Sequence, residues 1–523
     1  LFPTLQALPR AVSEESTRTT SLILNGAENE QSSGVHGSDI PQITHALGST
    51  EAAFHLQTKA SNCLSQSFDR EIVSIPYDLQ LSIADLYFKH VNPWCPILNR
   101  QKSWEMIFGP SDSDGPHRVL LYAMIASALR FSDDPRLTHP LRSRIQSMAK
   151  EAVFFRNMSS PDLVTLQALL ILTLESLGIW GSSSTAVALT LVARTAIRLG
   201  FGLEHRNYNA SSTPSTSSTI QSTTSPQSKT WIEEEERRRL LWMAYILDRY
   251  EGVAEGTEFI IRDEEMRTQL PCRYDLFAND LPVNTKLFFH SRSVGEAPAE
   301  TQNLGSFSYH CEIMTIFTKA QQLVQTRVDI ESQFEVLKWH RAYWQLDAEL
   351  NVWLTNLPSE HNDISQLCHT DPTSKISNWI TLQGAIVTCI IRLHSSMAYP
   401  VATSEIFFPS VEATKHCLTA VVSLRRIVQD VAATHMLALL GPPFAFALWT
   451  SARLLLVHAS TGKEPFDTNI DIFISALENM GKIWQAAETY ARILRCICQK
   501  SRSDESENPN TGTSQSTLAA MRR

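Results

Sequence analysis

Cysteine is sparse in this chain and never clustered. The nine cysteines are Cys63, Cys95, Cys272, Cys311, Cys368, Cys389, Cys417, Cys496 and Cys498, and residues 1–62 contain none. No two C-x-x-C pairs stand together, so a cysteine-held metal is excluded; the lone C-x-C at Cys496 and Cys498 has no second pair beside it. Several thiols sit in apolar helical stretches, such as AIVTCIIRL around Cys389, which is the setting of reduced, buried cysteine. Basic clusters are missing too. The net charge is −9 and Lys and Arg are dispersed, whereas a phosphate-binding footprint concentrates them. Long apolar runs are also absent. Residues 163–177 carry Gln167 and Glu175, and residues 436–452 are interrupted by Gly441-Pro442-Pro443. Both fall short of the roughly 20 apolar residues of a membrane span, and both read as buried core helices.

The signatures of catalysis are lacking as well. There is no HExxH, GxSxG, Walker A or kinase motif. Gly200-Phe201-Gly202 follows a helix pattern, not the strand a dinucleotide fingerprint needs. Asp133-Asp134 supplies two acids of the kind a terpene cyclase uses for magnesium. Pro135 breaks the helix that would present them, and Leu137 takes the place of the next acid. His90, His205 and His394 stand apart from any partner and read as packed or capping histidines. No catalytic, metal-binding or DNA-binding residue is therefore assigned in this chain. Ligand-binding residues cannot be told from core residues by periodicity.

What is present is helix after helix. Asp78 reads as an N-cap, with Leu79, Ile83 and Tyr87 at helical spacing, and Asn92-Pro93 ends that helix. A second helix is expected near 117–130. A third is expected with Ser160 as N-cap, Pro161 at its first position and Gly178 at its end; its body is apolar nearly all round. A partner helix closes on Gly200. Later helices are expected at about 308–326, 333–356, 377–397, 411–434, 444–459 and 470–499. No sustained alternation of period two appears, so the fold class is all-α, a large multi-helix bundle.

Residues 1–72 are polar and aperiodic and are expected to be disordered, as is the tail 500–523. Helical order is expected over 73–499, with a disordered insertion at 207–230. Of residues 211–230, 14 of 20 are Ser or Thr, a composition that forms no packed core. The chain opens Leu1-Phe2-Pro3 without an initiator Met, as expected of a fragment or a shifted gene start.

After that insertion comes the densest charge pattern, WIEEEERRRLLWMAYILDRY at 231–250. Thr230 and Glu233 fit a capping box. Glu233, Glu234 and Glu235 precede Arg237, Arg238 and Arg239 by four residues, a spacing worth about 0.2–0.5 kcal/mol per pair. The run therefore reads as a solvated, self-paired helix start. Leu240, Ala244 and Leu247 set a buried stripe. Asp248 lies beside that stripe and needs a partner, for which Arg194 and Arg198 on the preceding helix are the candidates.

The order of several blocks resembles the fungal-specific transcription factor domain, the middle homology region of Zn(II)2Cys6 binuclear-cluster regulators. The blocks are LSIADLYFKHVNPWCPILNRQKSW at 81–104, LLYAMIASALRFS at 120–132 and the paired helices of 163–206. They continue with the E-x-x-R-R-x-x-W…LDR block and the later LDAELNVWLTNLP and PPFAFALWTSARLLLVHAS segments. The similarity runs over about 80–460. It implies a nuclear regulator of RNA polymerase II genes and no enzyme. It also implies zinc and DNA as partners through an N-terminal six-cysteine module that these residues do not contain, together with the transcription machinery, a homo- or heterodimer partner and a small-molecule effector, and no membrane. An alternative is a cluster-less partner or corepressor that heterodimerises with intact regulators. An all-α enzyme such as a terpene cyclase is the remote third.

Overall fold

The computed structural model describes residues 75–109, 116–177, 183–203, 230–288, 301–358, 364–370, 376–462 and 469–507. Among these the regular structure is helical. The only extended pairings described are isolated bridges, Leu203 with Arg267 and Gln269 with Leu287. The all-α expectation holds. The segments expected to be disordered at 1–72 and, apart from Thr230, at 207–230 lie outside the described residues, as do Cys63, Gly178, His205 and everything after Glu507; residues 500–507 of the tail expected to be disordered are instead helical.

The first helices form an N-terminal layer: α1 (Tyr77–His90), α2 (Arg100–Phe108), α3 (Pro116–Ala128), α4 (His139–Ser159) and α5 (Leu163–Thr173). Helix α5 has almost no polar face, and it is buried from Leu163 to Thr173 apart from Val164. Its polar side chains are satisfied within the core: Gln167 donates to the Ile97 carbonyl at 3.2 Å and Thr173 to that of Leu169 at 2.8 Å.

The start of α5 differs from the sequence expectation. Asp162, not Ser160, is the N-cap. It accepts from the Thr165 amide at 2.8 Å, and the Thr165 hydroxyl accepts from the Asp162 amide at 2.8 Å. Ser160 instead terminates α4. Helix α4 is not evident from periodicity because few apolar side chains are buried along it, chiefly Ile145, Ala149 and Val153. Likewise α1 begins at Tyr77 after Pro76. Asp78 lies in its first turn, where it pairs with Arg136 at 3.0 Å.

Two helices follow, α6 (Ser183–Arg198) and α7 (Trp231–Glu255). Helix α7 ends on Gly256 at φ 71°, a left-handed cap that a side chain would strain. After the short α8 (Tyr274–Ala278) come α9 (Ser306–Gln325), α10 (Gln333–Thr355), α11 (Ile364–Thr370), α12 (Ser377–Ala398), α13 (Val411–Ala433) and α14 (Pro442–Gly462). Helix α12 is the hub of this part, packed on α9, α13 and α14. The chain closes with α15 (Ile470–Gly481) and α16 (Gln485–Glu507), where one helix was expected over 470–499. The break lies at the buried Trp484, whose indole donates to the Leu440 carbonyl at 3.0 Å. That tertiary contact turns the chain where local spacing would let it continue.

Candidate functional site

The charge run of α7 is buried. Glu235 and Arg239 are 0% exposed, and Glu236 and Arg238 are 4% exposed. This corrects the reading of a solvated helix start. Thr230 does cap the helix, accepting from the Glu233 amide at 3.3 Å, but the Glu233 carboxylate pairs with Arg237 at 2.6 Å. Arg238 reaches Glu235, three residues back. Arg239 is the centre of the network. Its Nε donates to Glu235 Oε1 at 2.8 Å, its Nη1 to the Pro96 carbonyl at 3.1 Å and its Nη2 to the Cys272 carbonyl. Its guanidinium lies 4.2 Å from the Phe277 ring centroid. Glu235 also accepts from the Cys272 amide at 2.9 Å, and Glu236 pairs with Lys102 at 2.5 Å. Residues 96 and 272 thus come over the helix start and supply the carbonyls and amide that let these charges leave water.

Asp248 is equally consumed by the fold. Its carboxylate accepts from the Ile260 amide at 3.0 Å and the Ile261 amide at 3.1 Å, and pairs with Arg249 at 2.6 Å. The expected partners are thereby corrected. Arg194, 49% exposed, lies nearer the surface, pairing with Glu265 at 2.9 Å and donating to the Ile260 carbonyl. Arg249 continues the network to Asp263 at 2.8 Å and Thr318 at 3.0 Å, and stacks 3.7 Å from the Tyr245 ring centroid. Burial raises the Asp248 carboxyl from its ordinary value, against the pull of Arg249 and the two amides. These groups hold α7 to the loop after it, and the contacts they make are structural.

A cavity of about 380 Å³ lies where α7, α9, α10, α12 and α14 approach one another. Segments 326–330 and 399–407 complete its wall, tied together by the Ser404 hydroxyl donating to the Ile330 carbonyl at 2.7 Å. Phe317, Val328, Trp339, Ile391, Phe407 and Phe446 make most of the wall apolar. Thr388, Ser395 and Thr450 add hydroxyls, and Arg392 and Arg453 add two cations. A volume in the range of about 300–1,000 Å³ with an apolar lining and a few convergent polar groups is the form of a small-molecule site. No ligand-binding residue was legible in the sequence. These arginines sit in IIRLHSS and SARLLL, which read as ordinary amphipathic helix.

The remaining candidates are packing groups. His394 is buried between Tyr343, whose hydroxyl is 2.7 Å from Nδ1, and Asp347, 3.5 Å from Nε2, and it stacks on His416 with centroids 4.7 Å apart. Burial, with a smaller contribution from His416, lowers it to about 4, which favours the neutral ring. His90 stacks on Phe131 at 4.5 Å. Asp134 accepts from Arg136 and caps nothing catalytic. Cys95, Cys272, Cys311, Cys368, Cys389, Cys417 and Cys498 are buried free thiols, and Cys496 is exposed. Among the described residues no three His, Cys, Asp or Glu side chains are grouped to hold a metal, and no helix is long and apolar enough to cross a membrane.

Comparison with known proteins places this architecture. The model of the fungal specific transcription factor domain matches residues 84–357, ending before the PPFAFALW segment that the sequence resemblance included. A pigment biosynthesis transcriptional activator of Monascus ruber is 24% identical over 430 residues, covering 78% of this chain and 71% of that protein. A Zn(2)-C6 fungal-type transcription factor of Fusarium oxysporum f. sp. lycopersici is 26% identical over 260 residues, 47% of this chain and 25% of the relative. An ABC-transporter-regulating transcription factor of Aspergillus fumigatus is 25% identical over 242 residues, 45% and 23% respectively. The aligned part of this chain thus spans about a quarter of the last two relatives. With the matched E-x-x-R-R-x-x-W…LDR helix at its centre, the chain belongs to the fungal-specific transcription factor domain family, a family of transcriptional regulators and not of enzymes.

Proposed function

We propose that these residues are the effector-sensing and regulatory part of a nuclear zinc-cluster transcription factor acting on RNA polymerase II genes. The observation that carries this reading is the family match over 84–357 in a chain whose 523 residues hold no six-cysteine cluster. DNA and zinc would be engaged by a module outside these residues. The cationic side chains of the signature helix support that division, because Arg238, Arg239 and Arg249 are buried in ion pairs and have no face for phosphate. The relatives' names, one an activator of pigment biosynthesis and one a regulator of an ABC transporter, favour control of genes for making or moving small molecules. In mechanism the bundle has two packings. A metabolite that binds one of them better shifts the population and changes what the domain presents to the transcription machinery or to a dimer partner.

Selection of genomic DNA fragments by the purified 523-residue chain tests the division of labour. The chain enriches no sequence, and any affinity at physiological salt stays in the non-specific range of about 10⁻⁴–10⁻⁶ M. Nanomolar, sequence-selective binding would place the reader inside these residues and defeat the proposal.

A further inference from the structure

Most of the polar lining of the cavity is already committed within the protein. The Thr326, Thr388, Ser396 and Thr450 hydroxyls each donate to a backbone carbonyl one turn back, those of Gln322, Gly384, Leu393 and Phe446, at 2.8–3.1 Å. Arg392 donates its Nε to Gln321, and Arg453 also has interactions of its own. The Trp339 indole donates to the Leu323 carbonyl at 3.1 Å, which leaves its ring as apolar lining. Trp339 and Phe407 meet edge to face, with centroids 5.6 Å apart and planes at 76°, so the two rings form a corner. Phe446 lines the same space from α14. An aromatic guest fits such a corner by stacking on one ring and setting its edge against the other. A saturated guest of the same size buries area but gains no ring–ring attraction. A charged head group adds little, because an ion pair taken out of water roughly repays its own desolvation.

We infer that this cavity binds a neutral, flat aromatic molecule, recognised by its ring system against Trp339, Phe407 and Phe446 and not by charge. The assignment deepens the effector-sensing reading and, as a regulatory site, rests on it.

Calorimetric titration of the 523-residue chain with 2-naphthol, decahydro-2-naphthol and 2-naphthoate is the test. 2-Naphthol binds with unit stoichiometry. Its saturated counterpart binds about fivefold more weakly or worse, and the carboxylate binds no more tightly than the phenol. Phe407→Leu keeps an apolar side chain at a partly exposed position and narrows the preference for the aromatic alcohol to about twofold or less. Ser395→Trp places a bulky side chain in the lining of α12 and weakens 2-naphthol by about tenfold or more. Circular dichroism confirms that each variant is folded, and the ligand series on the unaltered chain stands without either. No binding of 2-naphthol, equal affinity for the saturated alcohol, tighter binding of the carboxylate, or folded variants that bind as the unaltered chain does would overturn the assignment. Reporter transcription from the chain fused to a foreign DNA-binding module separates the two claims. A fusion that changes reporter output, with no 2-naphthol binding, sinks the aromatic site and leaves the regulatory reading standing. 2-Naphthol binding that never alters the output upholds the site and sinks effector sensing.

Discussion

Arg239→Ala lowers the unfolding free energy by about 3–5 kcal/mol, the cost of stranding a buried charge. The variant removes one of the two guanidinium partners of Glu235, which is 0% exposed, and leaves it only Arg238 of that pair. It also removes the donors to the Pro96 and Cys272 carbonyls and the cation above the Phe277 ring. The loss comes from uncompensated desolvation, so it is asymmetric. The double variant Glu235→Leu/Arg239→Met removes the two partners together and costs less than the two single losses combined, although Arg238 still loses its bond to Glu235. Lys415→Ala serves as control. Lys415 is 73% exposed and lies 3.8 Å from Glu412, and its removal changes stability by at most about 0.5 kcal/mol. Urea unfolding of the unaltered chain, Arg239→Ala, the singles Glu235→Leu and Arg239→Met, their double and the Lys415 control decides the matter. If Arg239→Ala were as mild as the Lys415 control, the buried network would not be what secures α7.

Trp94→Ala gives the second large effect, again about 3–5 kcal/mol, through a cavity in place of a lost charge. Trp94 is 1% exposed and donates its indole proton to the His90 carbonyl at 3.0 Å. It packs edge-on to Trp484 at 5.7 Å, and Trp484 in turn lies under Arg130 at 4.7 Å. Gly441 is pressed against the same ring. A Cβ added there would stand 2.4 Å from Trp94, so the turn before α14 admits only glycine while the indole is present. Gly441→Ala alone therefore costs about 1–3 kcal/mol by overpacking. In the Trp94→Ala background the same methyl enters vacated space, so the double variant loses less than the sum of the singles. Strictly additive losses in urea would show that the two residues do not share one packing site.

Trp94 sits inside a block whose order pointed to the family, NPWCPIL, and Gly441 stands immediately before another, PPFAFALW. Their mutual contact is invisible along the chain. The long periodic helices were legible because their apolar stripes repeat locally, as at α9, α10, α12 and α13. Helix α4 was missed because few buried apolar residues mark it. The break before α16 was missed because its cause, Trp484 reaching Leu440, is 44 residues away in sequence. The same limit governs the charges. Spacing of four pairs Glu235 with Arg239 equally well on a surface or in a core, and only the distant Pro96 and Cys272 decide which. Asp248 finds its partners in Arg249 and in the backbone of residues 260 and 261, not on the preceding helix. The cavity is the least legible feature, since it exists only where α12 and α14 bring two unremarkable arginines to one space.

The claim that these residues carry regulation while DNA is read elsewhere is tested most directly by a transcriptional fusion. The 523-residue chain is joined to a foreign DNA-binding module, and a reporter bearing that module's site is measured against the module alone. The account predicts that the fusion changes reporter output and that Arg239→Ala in the fused chain abolishes the change. Output equal to that of the bare module, with the chain folded and present in the nucleus, would contradict it.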